Sequence, residues 1–447
     1  MSLAWIVDDN EMTEREAFTE AIAANPQDDT LRLIFADWLQ EHGEEDRAEY
    51  IRLACEMAAR RGELGDSWSH GGEGKKSQAH LHELFKLRGS LWFASFYHAL
   101  GVEEIPPSPA SSGWTSRLWR RLRQERRQTF HYIQCSQGKW AEDGGNGPVW
   151  HTTLDRGLVD YLGLDFESPF PVRDITTAFQ LEPVNNLAIR FGPNSAQWNR
   201  LNLSCLRRVA HLALLMPTGH GLKSEAVFDE LIRSENWSGV RSLHLLSPMA
   251  DRRLVPSGYV DQLSRSPLLA QTQSIVAAIH FDDLPALTTR AARLSELRLW
   301  SSSLPPRGAD LVAAAVFRPN LEILDLSSNY DFGDEGVRRL VSVAWPRLTS
   351  LCLPHNTISD AGVQYLLPLV PQLSELYLSG NTLTDTGALM LAEAIDPAKL
   401  VALWLPYTLL SSTVVATLRE RFGERFHFHT RDDIIRNPSE WLRRERL

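Results

Sequence analysis

The chain predicts an α/β fold in two parts: a solenoid with parallel strands on its inner side and helices on its outer side, preceded by a small all-α domain. Two observations carry this. A phrase of leucines closed by asparagine recurs near the carboxy terminus, and the first sixty residues carry helical periodicity without that phrase. Composition agrees, since 447 residues with 43% hydrophobic content can bury a sizeable core.

The amino-terminal elements come first. Thr13-x-x-Glu16 has the form of a capping box, Ala17, Phe18, Ala21 and Ile22 make an apolar stripe, and Asn25-Pro26 ends the helix. A second helix follows, with Leu31, Ile34, Phe35, Trp38 and Leu39 at helical spacing and Gly43 as its stop; that spacing predicts a face that is entirely core. A third is expected over 45–60, with Ala48, Ile51, Leu53, Ala54 and Met57 inside. Residues 1–60 hold 15 Asp and Glu against five Arg, which equals the formal charge of −10 of the whole chain. Such a surface could steer a basic partner, although charged helix faces are usually only solvated.

Taken together, Thr13-Glu-Arg-Glu-Ala-Phe, Phe35-Ala-Asp-Trp-Leu-x-Glu-His-Gly43 and Arg47-Ala-Glu-Tyr-Ile-Arg-Leu resemble the repeat-companion domain over residues 12–59. That is a short helical module known mainly from planctomycete bacteria and often placed ahead of repeats. The resemblance implies architecture and a bacterial lineage, and brings no catalytic residues with it. Arg156-Gly-Leu-Val-Asp-Tyr-Leu resembles the strand that leads from such a module into a repeat array.

The middle of the chain is less regular. Residues 62–78, rich in Gly, Ser and charge, read as a flexible insertion within a first domain spanning 1–105. Pro106 to Gly113 reads as a linker, and 106–150 as linker plus basic insertion. There Arg117, Arg120, Arg121, Arg123, Arg126 and Arg127 surround Leu118, Trp119 and Leu122, a mix suited to phosphates or to an acidic protein surface. Against an acidic total and no recognised nucleic-acid fold, direct contact with nucleic acid is the secondary reading of this segment.

The repeats occupy 151–430. Leu321-x-x-Leu324-x-Leu326-x-x-Asn329 returns from Leu348, Leu373 and Leu400, at steps of 27, 25 and 27 residues. A unit that cannot bury its leucines alone must stack on its neighbours. The first, fourth and sixth places point inward, and the asparagine turns the chain by bonding local backbone. Asp334, Asp360 and Asp385 then precede apolar runs and read as helix caps. The pattern resembles leucine-rich repeats of the ribonuclease-inhibitor type, which implies a horseshoe with strands inside. Register extends it back through Leu294, Val240, Val209 and Val184, with Ser302 and Pro248 in the asparagine place and a degenerate strand within 273–279. About nine repeats result. Val414–Phe422 and Phe426–Phe428 read as a closing helix and strand, and 431–447 as a polar tail.

Function follows from the outward residues. On the strand face stand Arg298, Trp300, Asp325, Tyr377 and Trp404, with His244 on an earlier strand, a patch rich in the aromatics and arginine that anchor interfaces. The expected role is a non-catalytic scaffold for a protein partner. The alternative is a regulatory subunit that touches nucleic acid through the 117–127 arginines. Enzymatic signals are weak. Gly71 to Ser77 lacks the spacing of a phosphate loop, His427 and His429 have no third ligand, and Cys135 has no histidine partner in a motif. No catalytic residue, metal or cofactor is assigned. Four cysteines far apart suggest reduced thiols, and an opening without basic residues or a long apolar stretch speaks against a secretory signal, so a cytoplasmic protein off the membrane is expected.

Overall fold

The computed structural model describes residues 13–64, 72–101, 149–156, 158–165, 172–191, 204–216, 222–246, 254–406 and 409–428. They form two compact units, the first up to Leu212 with Asn236–Gly239, the second Ala213–Glu235 with Val240 onward. Residues 149–212 thus group with the amino-terminal helices. The segments 102–148 and 429–447, with the six arginines, Cys135 and His429, lie outside the described residues.

The first unit opens with α1 (Glu14–Ala24), α2 (Asp29–Glu41) and α3 (Glu45–Leu64). Thr13 Oγ1 accepts from the Glu16 amide at 3.2 Å as the capping box requires, while the Glu16 carboxylate accepts from Gln180 Nε2. On α2 the buried stripe is Arg32, Phe35, Ala36 and Leu39, one notch round the helix from the expected face. Ile34, expected inside, is 47% exposed. The helix is turned because Arg32 must reach an acid elsewhere in the unit, described below.

The loop expected over 62–78 is helical at both ends, through Leu64 of α3 and from Gly72 in α4 (Gly72–Trp92), with 65–71 outside the described residues. Composition misleads here because tertiary packing outweighs glycine's poor propensity. Leu81, Leu84, Phe85 and Trp92 of α4 cluster with Tyr50, Ala54 and Met57 of α3. A short α5 (Ala94–Ala99) follows.

Strands β1 (Val149–Asp155) and β2 (Leu158–Asp165) form an antiparallel hairpin, α6 (Ile175–Leu181) crosses over, and β3 (Asn186–Arg190) pairs parallel to β2. The hairpin ties the helices to the strands. Leu158 is buried in one cluster with Ile22, Phe35, Ala36, Leu39, Ala48 and Ile51. Arg156 sits in the turn at φ +47 and reaches Asp29 of α2 at 2.8 Å, Asp155 at 2.7 Å and the Pro26 carbonyl at 3.1 Å. Arg32 meets Asp155 at 3.0 Å. Deeper still, Arg47 and Glu182 form an ion pair with each side chain 1% exposed. Glu182 also accepts the Val159 amide at 2.9 Å, and Arg47 lies over the Phe93 ring.

The chain passes between the units in β4 (His211–Leu215). The second unit continues with α7 (Leu222–Arg233), β5 (Ser242–Leu246), α8 (Ser257–Ser264), α9 (Pro267–Gln271), β6 (Ser274–Ala277) and α10 (Leu284–Thr288). The regular repeats follow: β7 (Glu296–Leu299), α11 (Pro306–Ala313), β8 (Ile323–Asp325), α12 (Gly333–Leu340), β9 (Ser350–Cys352) and α13 (Asp360–Leu366). Then come β10 (Glu375–Tyr377), α14 (Asp385–Ala394), β11 (Ala402–Leu405), α15 (Ser412–Phe422) and β12 (Phe426–Phe428). From β5 onward neighbouring strands pair in parallel in chain order. Leu297, Leu324, Leu351, Leu376 and Leu403 stand in one register row, all buried.

Two ladders of polar side chains join repeat to repeat. In the first, the Asn329 amide donates to Asn356 Oδ1 at 2.8 Å and the Asn356 amide to Asn381 Oδ1 at 2.9 Å. Their Nδ2 atoms donate back to the carbonyls of Leu299, Leu326 and Leu353 at 2.8–2.9 Å. Asparagine therefore turns its own chain and also satisfies its neighbour, in a buried place where an orphaned amide would cost about 1–3 kcal/mol. Ser302 takes the same place one repeat earlier, its Oγ accepting the Ile279 amide at 3.1 Å.

The second ladder corrects the assignment of helix caps. The capping residues of α13 and α14 are Ser359 and Thr384, and Asp360 and Asp385 lie in the first turn. Each aspartate instead reaches the next repeat. Asp334 accepts the Ser359 amide at 2.8 Å and its hydroxyl at 2.6 Å, Asp360 does the same for Thr384, and Asp385 accepts the Ser411 amide. The glycines of the second and third Asp-x-Gly triplets make the room. A Cβ on Gly362 would lie 2.3 Å from Asp334 Oδ1, and one on Gly387 2.3 Å from Asp360 Oδ1.

Candidate functional site

Parallel register turns the outward residues of the second unit into continuous rows. One runs His244, Val276, Arg298, Asp325, Cys352, Tyr377, Trp404, His427. Beside it runs Ser242, Ser274, Glu296, Ile323, Ser350, Glu375, Ala402. Period-two alternation places Trp300 beyond Arg298 on the same side, just past β7.

Of the six face residues expected from sequence, four are half-buried and able to meet a partner: Arg298, Trp300, Tyr377 and Trp404. The other two are corrected. Asp325 is 2% exposed and His244 7% exposed, so neither offers a contact surface. Alternation points them outward, yet a side chain one strand away can lean over a shorter neighbour. Arg298 does this, its guanidinium 3.7 Å from Asp325 and 2.5 Å from Glu296. Asp325 also accepts the Ser327 amide at 2.8 Å and the Ser327 hydroxyl.

The electrostatics follow from that crowding. Burial pushes the Asp325 carboxyl above the usual carboxylate range, against the pull of Arg298 and the Ser327 bonds. For Arg298 burial works against the charge, and Glu296 and Asp325 more than offset it, so its pKa ends above the ordinary value. Burial likewise raises the Tyr377 phenol. The charged middle of the face is thus an internally paired cluster, with Arg298 committed to two acids.

At the far end the row is aromatic. Tyr377 and Trp404 are stacked at 6.4 Å between ring centroids and 13° between planes, and Trp404 stacks on His427 at 4.5 Å and 18°. His427, which paired with His429 in the sequence as a possible metal site, here extends the stack. Glu375, which period-two alternation turns to the same side two residues before Tyr377, stands in the neighbouring row. Glu375 accepts from Ser350 Oγ at 2.7 Å, and among the described residues no cation pairs with it.

Cys352 lies on the face but is buried, and burial holds its thiol well above the usual range, which removes the thiolate that nucleophilic chemistry needs. Burial raises Cys55 to about 12 and Cys205 to about 11. Among the described residues no three His, Cys, Asp or Glu side chains are grouped to hold a metal ion, and no helix is long and apolar enough to cross a membrane.

A family model described as leucine-rich repeat matches residues 319–341 and 372–392, two of the units joined by the ladders above. The chain carries leucine-rich repeats. No curated protein sequence matches it. Among solved structures it is similar to an internalin (InlF) from Listeria monocytogenes, at 16% identity over 50% of this chain and 69% of that one, with a TM-score of 0.29. It is also similar to the yeast Rad7–Elc1 complex, at 12% identity over 56% of this chain and 81% of that one, with a TM-score of 0.29.

Proposed function

We propose that the chain is a non-catalytic interaction scaffold that holds a protein partner against the outward face of its leucine-rich repeats. The supporting observation is the stack of Tyr377, Trp404 and His427 in one register row, next to Arg298 and Trp300. Half-buried aromatics on a rigid strand row lose little conformational entropy on binding, and such residues can contribute about 2 kcal/mol or more at an interface. On this reading the amino-terminal helices are a repeat-companion module. The free thiols of Cys55, Cys205 and Cys352 fit a reducing compartment such as the cytoplasm.

The test is capture of partners by the tagged chain from its native cells beside a Trp300→Ala/Tyr377→Ala double variant. A protein held by the wild type and lost from the variant supports the reading. Unchanged partners in the variant would move the binding site elsewhere.

A further inference from the structure

The chemistry around Tyr377 narrows the kind of partner, an inference that rests on the scaffold reading. On β9 both outward residues, Ser350 and Cys352, are small and buried, so the two rows dip there. On one side of the dip stand Glu375 and Tyr377, paired in register with Ser350 and Cys352; on the other lies Asp325, with Glu296 and Arg298 a further strand away. The ring of Tyr377 therefore borders a low place rimmed by carboxylates.

The charges are one-sided. Among the described residues of these strands the half-buried acids are Glu296 and Glu375, and Arg298 is already engaged by Glu296 and the buried Asp325. The Glu375 carboxylate accepts from the Ser350 hydroxyl at 2.7 Å. Along one strand Glu375 and Tyr377 lie roughly 7 Å apart, a span that one guanidinium or ammonium can bridge. A cation against an aromatic ring is attracted by the ring quadrupole, and a neighbouring carboxylate adds a charge-assisted hydrogen bond. Beside Glu375 in the next strand is Ala402, whose small side chain leaves room for the stem of a long residue.

We propose that this face takes an extended, basic protein segment, with an arginine or lysine seated against the Tyr377 ring beside Glu375 and above Cys352. Acidic segments and nucleic acid meet the same carboxylates as repulsion.

The experiment measures fluorescence anisotropy of short labelled peptides alternating Arg with Ser, Lys with Ser or Glu with Ser, titrated with the full chain. Wild type, Glu375→Gln and Tyr377→Ala are compared, with partner capture run in parallel. Gln keeps the oxygen that accepts from Ser350, so a thermal midpoint close to wild type is expected for that variant. The expected result is binding of the Arg or Lys peptide that weakens about tenfold in either variant and falls with added salt. Equal binding of the Glu peptide, displacement by a single-stranded oligonucleotide, absence of peptide binding, or indifference to both substitutions overturns the proposal. If it is overturned while a captured partner is still lost on Trp300→Ala/Tyr377→Ala, the charge inference fails and the scaffold reading stands. If captured partners also survive that double variant, the scaffold reading fails with it.

Discussion

Asp360 and Thr384 lie 24 residues apart, yet the carboxylate of the first holds the amide of the second at 2.8 Å and its hydroxyl at 2.5 Å. Asp360 also accepts the Gly387 amide at 3.1 Å, so one side chain organises the start of the following helix. Asp360→Ala should destabilise the repeats by about 1–3 kcal/mol, read from chemical denaturation. Gly387→Ala should be costly as well, because its new Cβ would collide with that carboxylate. In an Asp360→Ala background the Gly387→Ala penalty should shrink. A double-mutant cycle that sums without coupling would disprove the steric link.

The asparagine ladder is buried where the aspartate ladder is near the surface. Asn356→Ala strands the Asn329 amide and takes one of two donors from the Leu326 carbonyl, the other being Asn329 Nδ2 at 2.7 Å. Its loss of stability should exceed that of Asp360→Ala, with Asn320→Ala, whose side-chain bond to Ala292 is exposed, as the mild control. Equal midpoints for Asn356→Ala and Asn320→Ala would refute this.

In the first unit the Arg47–Glu182 pair predicts asymmetric costs. Arg47→Met leaves a buried carboxylate alone and should lose about 3–5 kcal/mol. Adding Glu182→Gln removes the orphaned charge and keeps an oxygen for the Val159 amide. The double variant should therefore be more stable than Arg47→Met alone, as thermal unfolding of the two proteins would reveal.

Asp160 predicts a pH dependence of known sign. Burial and then the nearby Asp155 charge raise its carboxyl to about 7, from an ordinary value near 4, while Asn186 Nδ2 donates to it at 2.5 Å. Between those values the folded chain binds more protons than the unfolded one, so this group's contribution to stability falls as pH rises from about 4 to about 7 and is flat above. Asp160→Asn should remove that slope. The check is the difference in thermal midpoint between variant and wild type, growing in the variant's favour from pH 5 to pH 8.

Much of the fold was legible because each repeat obeys local rules. The strands β3 to β5 fall where register stepping from the clear repeats puts them, and β6 falls inside the degenerate 273–279. What failed depended on partners a repeat away. Asp360 looks like a cap because capping residues and first-turn acids are neighbours in sequence, and only the stacked structure shows that its bonds go to Thr384. Asp325 alternates outward correctly, but Arg298 and Ser327 enclose it. On α2, Ile34 and Arg32 exchanged places because no helical pattern discloses an ion pair with Asp155, more than a hundred residues later.

The two ladders point opposite ways along the chain: each aspartate reaches forward to the next helix start, and each asparagine oxygen takes the amide of the repeat before it. Every unit accordingly carries half of two complementary joints, like a link cut from a uniform belt. Excising residues 348–372 would bring Asp334 to Thr384 and the Asn329 amide to Asn381 with the same atoms facing one another, whereas a cut out of phase with the period would mate neither. A gene encoding such an array can lengthen or shorten by whole links and still close, so its reach is free to vary while its chemistry stays constant.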